Sequence, residues 1–326
     1  MATELRLDPL NGRWVAIRPE RALRPDAFVL RTPFTTDAAD SCPFCPESFD
    51  GEVVVDETTD ADGHWQSRVV ANRYPAFDSD APFVSVNKGP VFTEATAGGV
   101  HEVLIFTPDH NRSLDAMDDG EIENIMALLK RRLVAHASQS NLRYTQAIIN
   151  SGREAGASIE HPHGQLMGIS FVPRDVAEEQ ARFSQFVAGC LLCTAIEAES
   201  TSGRRTVLSS DAALVVAPYW SGVPYEMLVL PRHHATHLHT ESDAVLTGVG
   251  LALRDALRAL KAAIGDVAYN VVVHSAPYLH GEPFHWHIHL FPKATTRAGF
   301  ELGTGVSINV VKPEDAAEVL RNAATV

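Results

Sequence analysis

The sequence predicts an α+β fold built of two tandem units, each a mostly antiparallel sheet with one long helix. Three observations carry this. First, His110 and His161 stand 51 residues apart, as do His234 and His285, and the second pair follows the first at an offset of 124. The surrounding text agrees: His101-Glu-Val-Leu-Ile-Phe-Thr-Pro-Asp-His110 reads like Tyr225-Glu-Met-Leu-Val-Leu-Pro-Arg-His-His234, and Ala147-Ile-Ile-Asn150-Ser like Val271-Val-Val-His274-Ser. Second, each half carries a Cys-x-x-Cys pair, Cys42/Cys45 and Cys190/Cys193. These are offset by 148, so the second copy has 24 residues fewer (148 − 124) between its cysteines and its histidine. Third, short β-branched segments bounded by turn residues alternate with two long segments of 3–4 apolar spacing.

In chain order, the first unit, residues 1–172, offers strands at Trp14–Ile17, Glu52–Val55, Val69–Ala71, Val103–Phe106, Gln146–Asn150 and Gln165–Phe171. The second, residues 173–326, offers Thr206–Leu208, Ala213–Pro218, Met227–Leu230, Tyr269–His274 and His285–Phe291. Ile122, Ile125, Met126, Leu129 and Leu133 mark a helix over Asp118–Ser138. Leu246, Val249, Leu253, Leu257 and Leu260 mark its counterpart over Asp243–Ala263. Arg174–Cys190 and Glu314–Asn322 are further helices. Thr32–Asp40 and Ser200–Arg204 read as loops, and Asp56–His64 as an acidic, solvated connector.

The 326 residues are 45% apolar and 21% charged, the profile of a globular chain with a full core. No run approaches the ~18 apolar residues of a membrane span. The opening Met-Ala-Thr-Glu-Leu-Arg has no apolar signal region, so a cytoplasmic location is the expectation. A formal charge of −14 argues against a nucleic-acid surface, yet leaves room for a phosphate-bearing small ligand in a locally basic pocket.

In a long chain of this kind a Cys-x-x-Cys pair reads as a metal ligand set or a thioredoxin-type redox centre, not a structural disulfide. Histidines at matched distances favour metal: Cys42, Cys45, His110 and His161 in the first copy, Cys190, Cys193, His234 and His285 in the second. Single histidines are more often surface residues, and His233, His237 and His239 are read so. In His161-Pro-His163-Gly-Gln165, a strand would turn the first, third and fifth residues to one face. A metal on His161 would leave His163 oriented as a neutral, nucleophilic imidazole. Gln165 can donate to a phosphoryl oxygen, and Gly164 allows close backbone approach. Asn150-Ser-Gly-Arg-Glu-Ala-Gly-Ala-Ser158 offers backbone N–H groups and the hydroxyls of Ser151 and Ser158 to a phosphate.

His161-Pro-His163-Gly-Gln165, with Cys42-Pro-Phe-Cys45-Pro and Thr107-Pro-Asp-His110, resembles the galactose-1-phosphate uridylyltransferase family of the histidine-triad superfamily. The resemblance runs from Asp8-Pro-Leu-Asn-Gly-Arg-Trp14 to His289-Leu-Phe-Pro292 and implies two fused histidine-triad-like units. It implies that His163 forms a covalent nucleotidyl-histidine and that Gln165 binds the transferred phosphoryl group. Arg21 and Arg24 match a basic segment near the nucleotide phosphates, Asn72 and Asn150 nucleotide contacts, and Ser158 a substrate-phosphate contact. Cys42, Cys45, His110 and His161 match structural zinc ligands. The implied partners are UDP-glucose and galactose-1-phosphate: the uridylyl group passes to His163, glucose-1-phosphate leaves, and galactose-1-phosphate takes the group up. A homodimer is implied too.

The second metal has two candidate sets. Cys190, Cys193, His234 and His285 suit zinc, because thiolates are soft ligands, giving two zinc ions per chain. Glu179, His274, His287 and His289 match the Glu/His/His/His set that other family members assign to iron. His287 stands at the nucleophile's repeat position, but Ile288-His289 replaces Gly-Gln, so the second copy reads as structural and substrate-binding. Three alternatives stand beside the uridylyltransferase: a nucleotide-sugar phosphorylase passing adenylyl from ADP-glucose to phosphate, a histidine-triad hydrolase, and a zinc-ordered binding module.

Overall fold

Residues of the second-copy strands are apolar on both sides, and the packing explains why. Ala213, Val215, Met227 and Val229 enter one core, whereas their neighbours Leu214, Val216, Leu228 and Leu230 enter another on the opposite face of the sheet. The computed structural model describes residues 4–23, 32, 41–49, 52–279, 281 and 283–324.

Among these residues ten strands form one continuous sheet. The first half supplies β3 (Val54–Thr59), β4 (Trp65–Ala71), β7 (Gly99–Ile105), β8 (Tyr144–Ser151) and β9 (His163–Ile169). The second supplies β10 (Thr206–Ser209), β11 (Ala213–Val216), β12 (Met227–Pro231), β13 (Tyr269–His274) and β14 (His287–Pro292). The order β3-β4-β7-β9-β8 is mirrored by β13-β14-β12-β11-β10, and all neighbours are antiparallel. The halves meet where β8 pairs with β13, Asn150 opposite Asn270. Two repeats thus share one sheet rather than owning one each. Antiparallel pairing of β8 with β13 gives each an edge partner that neither copy supplies alone.

One face is covered by helix α1 (Asp119–Ala137) and helix α4 (Asp243–Ile264). Asp118 caps α1 with a capping box to Glu121, and Ser242 caps α4 by accepting from the Val245 N–H. The two helices touch where Gly250 lies against Met126 and Ile122; a Cβ there would meet Met126 Cγ at 2.6 Å. Helix α6 (Pro313–Ala324) extends this layer. The opposite face carries α2 (Arg174–Gln185) and α3 (Leu191–Ser202) over the second half, and the Cys42–Cys45 loop over the first. A small sheet β1 (Glu4–Leu7), β2 (Trp14–Ile17) and β15 (Ser307–Asn309) lies outside the main one; β5 (Ser85–Asn87) and β6 (Thr93–Ala95) form a separate hairpin. Residues Gly299–Thr304 form α5.

Several expectations need correction. Asp56–Thr59 is not connector but strand β3, its polar residues alternating outward. Ser200–Ser202 closes helix α3, ended by Gly203 in the left-handed conformation, rather than opening a loop. Helix Arg174–Cys190 stops at Gln185, and Phe186 is already extended. The loop expected over Thr32–Asp40 lies, except for Thr32, outside the described residues. Most of the 24-residue difference falls between β4 and β7: Val70 and Val216, which oppose Val103 and Leu228, are offset by 146, and the excursion bearing β5 and β6 has no counterpart before β12.

Candidate active site and metal centres

His161 and His163 bracket the start of β9, and each ring is fixed by a backbone carbonyl. His161 Nε2 donates to the Thr107 carbonyl at 2.7 Å, which leaves Nδ1 as the lone-pair nitrogen facing Cys45 Sγ at 3.5 Å. Cys45 Sγ is also 3.4 Å from His110 Nδ1. The ligand atoms of Cys42, Cys45, His110 and His161 lie within 4.8 Å of one another, and neither cysteine is in a disulfide. Two soft sulfurs and two imidazole nitrogens at that spacing suit a tetrahedral zinc ion. His163 Nδ1 donates to the His161 carbonyl at 2.8 Å, so its Nε2 carries the lone pair. Phe44, between the cysteines, packs edge-on against His163 with ring centroids 5.3 Å apart. The metal loop thereby holds the second histidine by packing as well as through the chain.

Beside these rings lies a cavity of about 140 Å³ lined by His110, Asn150, Ser151, Gly152, His161 and His163. Asn150 sits at the seam, where its Oδ1 accepts from Asn270 Nδ2 at 2.7 Å. Gln165 follows His163 on the same face of β9, opposite Val103. Its Oε1 is 2.9 Å from His101 Nε2, and Asn72 Nδ2 is 3.1 Å from that same nitrogen. Of the expected residues, His110, Asn150, His161 and His163 line this cavity, whereas Gln165 and Asn72 meet at His101, two residues along β9 from His163. Ser158 does not join them: it is exposed and absent from the cavity wall. The Asn150–Ser158 loop contributes instead through Ser151 and Gly152. Arg21 is half-buried in a 3₁₀ turn, Pro19–Leu23, and does not line the cavity. Arg24 lies outside the described residues.

The second copy reproduces this geometry bond for bond. His285 Nε2 donates to the Pro231 carbonyl at 3.0 Å, and His287 Nδ1 to the His285 carbonyl at 2.9 Å. Cys190 Sγ and Cys193 Sγ are each 3.5 Å from His285 Nδ1, and Cys193 Sγ is 3.5 Å from His234 Nδ1. Burial, with Cys190 alongside, pushes the Cys193 thiol up to about 11, and burial beside His234 and His287 pushes His285 down to about 4. A cation among them relieves the first and uses the neutral ring of the second.

The two second-site sets lie in different places. Glu179, His274, His287 and His289 form a separate cluster sharing no residue with the cysteine set. His274 Nδ1 is 2.6 Å from Glu179 Oε2, His287 Nε2 is 3.3 Å from Glu179 Oε1, and His287 Nε2 is 3.0 Å from His289 Nε2. Burial works against both charges of the Glu179–His274 pair, yet each partner outweighs it: the carboxyl is held below its ordinary value and the imidazole above. His287 and His289, buried and without a carboxylate that close, are pushed down. His237 and His239, read as surface residues, are half-buried against Tyr278; His233 is exposed and pairs with Glu241.

His101 and Phe44 are the site residues that sequence reasoning passed over. The strand registers also shift one alignment. Val103 opposes Gln165 and Leu228 opposes His289, so β7 and β12 match at an offset of 125, not 124. His101 therefore corresponds to Glu226 rather than to Tyr225. A slip of one residue in a strand exchanges the two faces, so this decides which side chain looks into the site.

A family model described as the N-terminal domain of galactose-1-phosphate uridyl transferase matches residues 1–173, and one described as a domain of unknown function (DUF4921) matches 109–324. ADP-glucose phosphorylase of Arabidopsis thaliana is 32% identical, over 98% of this chain and 92% of its own. Galactose-1-phosphate uridylyltransferase of Thermotoga maritima is 28% identical, over 98% of both. Among solved structures, the Arabidopsis ADP-glucose phosphorylase with bound ADP-glucose superposes with a TM-score of 0.83 at 29% identity, over 98% of this chain and 99% of its own. A uridylyltransferase structure gives 0.76 at 25% identity, over 99% and 98%. A family model over more than half of the residues and relatives spanning nearly the whole length place it: the chain belongs to the galactose-1-phosphate uridylyltransferase family.

Proposed function

We propose that this chain is a nucleotidyltransferase that moves a nucleoside monophosphate from a nucleotide sugar to a phosphate acceptor through a covalent intermediate on His163. The observation that carries this is the fixed tautomer of His163, whose Nδ1–H is spent on the His161 carbonyl at 2.8 Å. The Nε2 lone pair attacks the α-phosphorus, an N–P bond forms, and the P–O bond to the β-phosphate breaks, releasing the sugar 1-phosphate. An acceptor phosphate oxygen then attacks the same phosphorus, and the imidazole leaves as it came. Gln165 donates to the phosphoryl oxygens, while Asn72 and Asn150 meet the nucleotide. Arg21 and Arg24 supply positive charge near the phosphates, and Ser158 a hydroxyl to the substrate phosphate. Cys42, Cys45, His110 and His161 would hold a zinc ion, which would anchor the His161–His163 backbone. Cys190, Cys193, His234 and His285 would hold a second zinc ion, which would anchor the second unit in the same way. Units 1–172 and 173–326 divide the labour, the first carrying the nucleophile and the second framework and substrate contacts.

The donor and acceptor of the leading reading are UDP-glucose and galactose-1-phosphate. It is supported by the uridyl transferase model over residues 1–173 and by relatives of that name at 25–29% identity. A second reading, ADP-glucose with inorganic phosphate as acceptor, is favoured by the 32% identity and the TM-score of 0.83 to a phosphorylase. The proposal includes a cytoplasmic homodimer; reducing conditions keep the four cysteines as thiols. Among the described residues no helix is long and apolar enough to cross a membrane.

The test is intact-protein mass spectrometry after incubation with UDP-glucose and, separately, with ADP-glucose. A uridylyl or adenylyl increment on the parent chain, absent from His163→Ala, is expected, and the nucleotide that labels names the donor. Discharge by galactose-1-phosphate, by phosphate or by water alone then separates transferase, phosphorylase and hydrolase. A parent chain that takes no increment from either donor refutes the proposal and leaves the zinc-ordered binding module.

A further inference from the structure

We infer that His101 is a positioning residue, whose imidazole ties the carbonyl of Gln165 and thereby turns the Gln165 NH2 toward the phosphoryl group on His163. The inference rests on the reading above and deepens it, for nothing in the His-Pro-His-Gly-Gln motif decides which way its terminal amide faces. A carboxamide is nearly symmetric in shape, and only its hydrogen-bond partners distinguish oxygen from nitrogen. Turned the wrong way, Gln165 would present a lone pair to a phosphoryl oxygen and repel it.

The network fixes the orientation in three steps. His101 Nδ1 accepts from the Ala76 N–H at 3.1 Å, so in the neutral ring the hydrogen resides on Nε2. That Nε2 lies 2.9 Å from Gln165 Oε1 and donates to it, which leaves the amide NH2 as the half that meets a ligand. Asn72 is turned likewise. Its Oδ1 accepts from the Tyr74 N–H at 2.8 Å; its Nδ2, 3.1 Å from His101 Nε2, faces a nitrogen whose hydrogen is already given to Gln165 and so makes no hydrogen bond to it. Two carboxamides that meet at one imidazole nitrogen thus have their oxygens committed to the protein and their NH2 groups available to phosphate or base.

The placement follows from the sheet. His101 on β7 opposes Met167, and Val103 opposes Gln165, so His101 and Gln165 are diagonal neighbours on one face, within reach of long side chains. Ala76 belongs to the excursion between β4 and β7 that the second copy lacks. There the matching positions carry Glu226, whose carboxyl accepts from the Gly222 and Val223 N–H groups, and His289, and the excursion that supplies the backbone donor is missing. The device is confined to the copy that holds the proposed nucleophile.

The experiment measures single-turnover labelling of His163 by the donor that labels the parent chain, alongside the dissociation constant of that donor. His101→Ala is expected to slow labelling roughly 10- to 100-fold, the range typical of partners that orient a functional group, with binding changed less than about threefold. His101→Gln, whose NH2 reaches the place of imidazole Nε2, is expected to recover most of the rate and guards against a merely misfolded alanine variant. In a Gln165→Ala background, His101→Ala should cost nothing further, because its effect runs through that amide. Unchanged labelling in His101→Ala overturns the inference. So does a full additional loss in the Gln165→Ala background, or a His101→Gln variant that folds and stays as slow as His101→Ala. A parent chain that never labels removes the underlying reading instead, so the two failures are distinct.

Discussion

Glu226 is a buried carboxyl held by backbone amides rather than by a cation, and replacing it with glutamine should strengthen the fold in alkaline solution and leave it unaltered in acid. Its side chain is 4% exposed and accepts from Gly222 N–H at 2.6 Å and Val223 N–H at 3.2 Å. It shares a cavity of about 470 Å³ with Asp8. Burial first, and the neighbouring Asp8 second, push Glu226 up from its ordinary 4.5 to about 8; burial and Glu179 push Asp8 up to about 6. Glu102 marks the contrast. It too is buried, but Arg132 at 2.6 Å and His136 at 3.2 Å overcome the desolvation and hold it below its ordinary value. Between pH 4.5 and 8 the folded chain keeps a proton on Glu226 that the unfolded chain has lost. Stability contributed by the protonated group is therefore complete below pH 4.5 and declines as pH rises toward 8. Each tenfold change in proton affinity between the folded and unfolded chain is worth about 1.4 kcal/mol, so Glu226→Gln should gain on the order of 2–4 kcal/mol near pH ~8 and close to nothing near pH ~4.5. Urea denaturation of parent and variant at the two pH values, with equal m-values, reads this directly. A pH-independent difference, or a variant weaker at the alkaline pH, refutes the argument that the carboxylate is desolvated and uncompensated.

Two further outcomes follow from packing and from the metal centres. In Gly164→Ala the new Cβ meets the Ile148 carbonyl oxygen at 3.0 Å and Phe106 Cζ at 3.1 Å, so β9 must shift between the two functional side chains. A stability loss of about 1–3 kcal/mol and a roughly 100-fold drop in His163 labelling are expected from thermal melts and single-turnover assays, and wild-type labelling refutes the geometry. Cys190→Ala should lower the metal content by one ion per chain in elemental analysis and reduce the melting temperature, while His163 still labels. An unchanged metal count excludes the second cysteine set as a metal centre.

The spacing of Cys42, Cys45, His110 and His161 disclosed the first Cys/His cluster because ligand-type residues recur in the chain where the fold gathers them. Doubling that spacing disclosed the tandem fold. Helices α1 and α4 were legible from apolar spacing, since one face packs on the sheet and the other is wet. Strands of three residues such as Ser85–Asn87 and Thr93–Ala95 were not, because they bury nothing and so carry no alternation. Helix α3 hid behind the cysteine motif that begins it. Pairing of β8 with β13 is tertiary and has no local signature. His101 escaped for the same reason: its meaning depends on Gln165, 64 residues away, and on a backbone amide in an excursion that looks like a loop. Ser158 is exposed and outside the cavity wall, because small residues advertise a loop without saying which of its hydroxyls turns inward.

The β8–β13 seam decides how the chain can be cut. Severed between the two repeats, either fragment bares a full-length edge, Tyr144–Ser151 or Tyr269–His274, whose backbone N–H and C=O groups were matched across five residue pairs. Such an edge is a template for the nearest compatible strand, and in a solution of one fragment that strand is its own copy. Half-chains should therefore mate with themselves, recreating as a two-molecule assembly the architecture that fusion has made a property of one polypeptide.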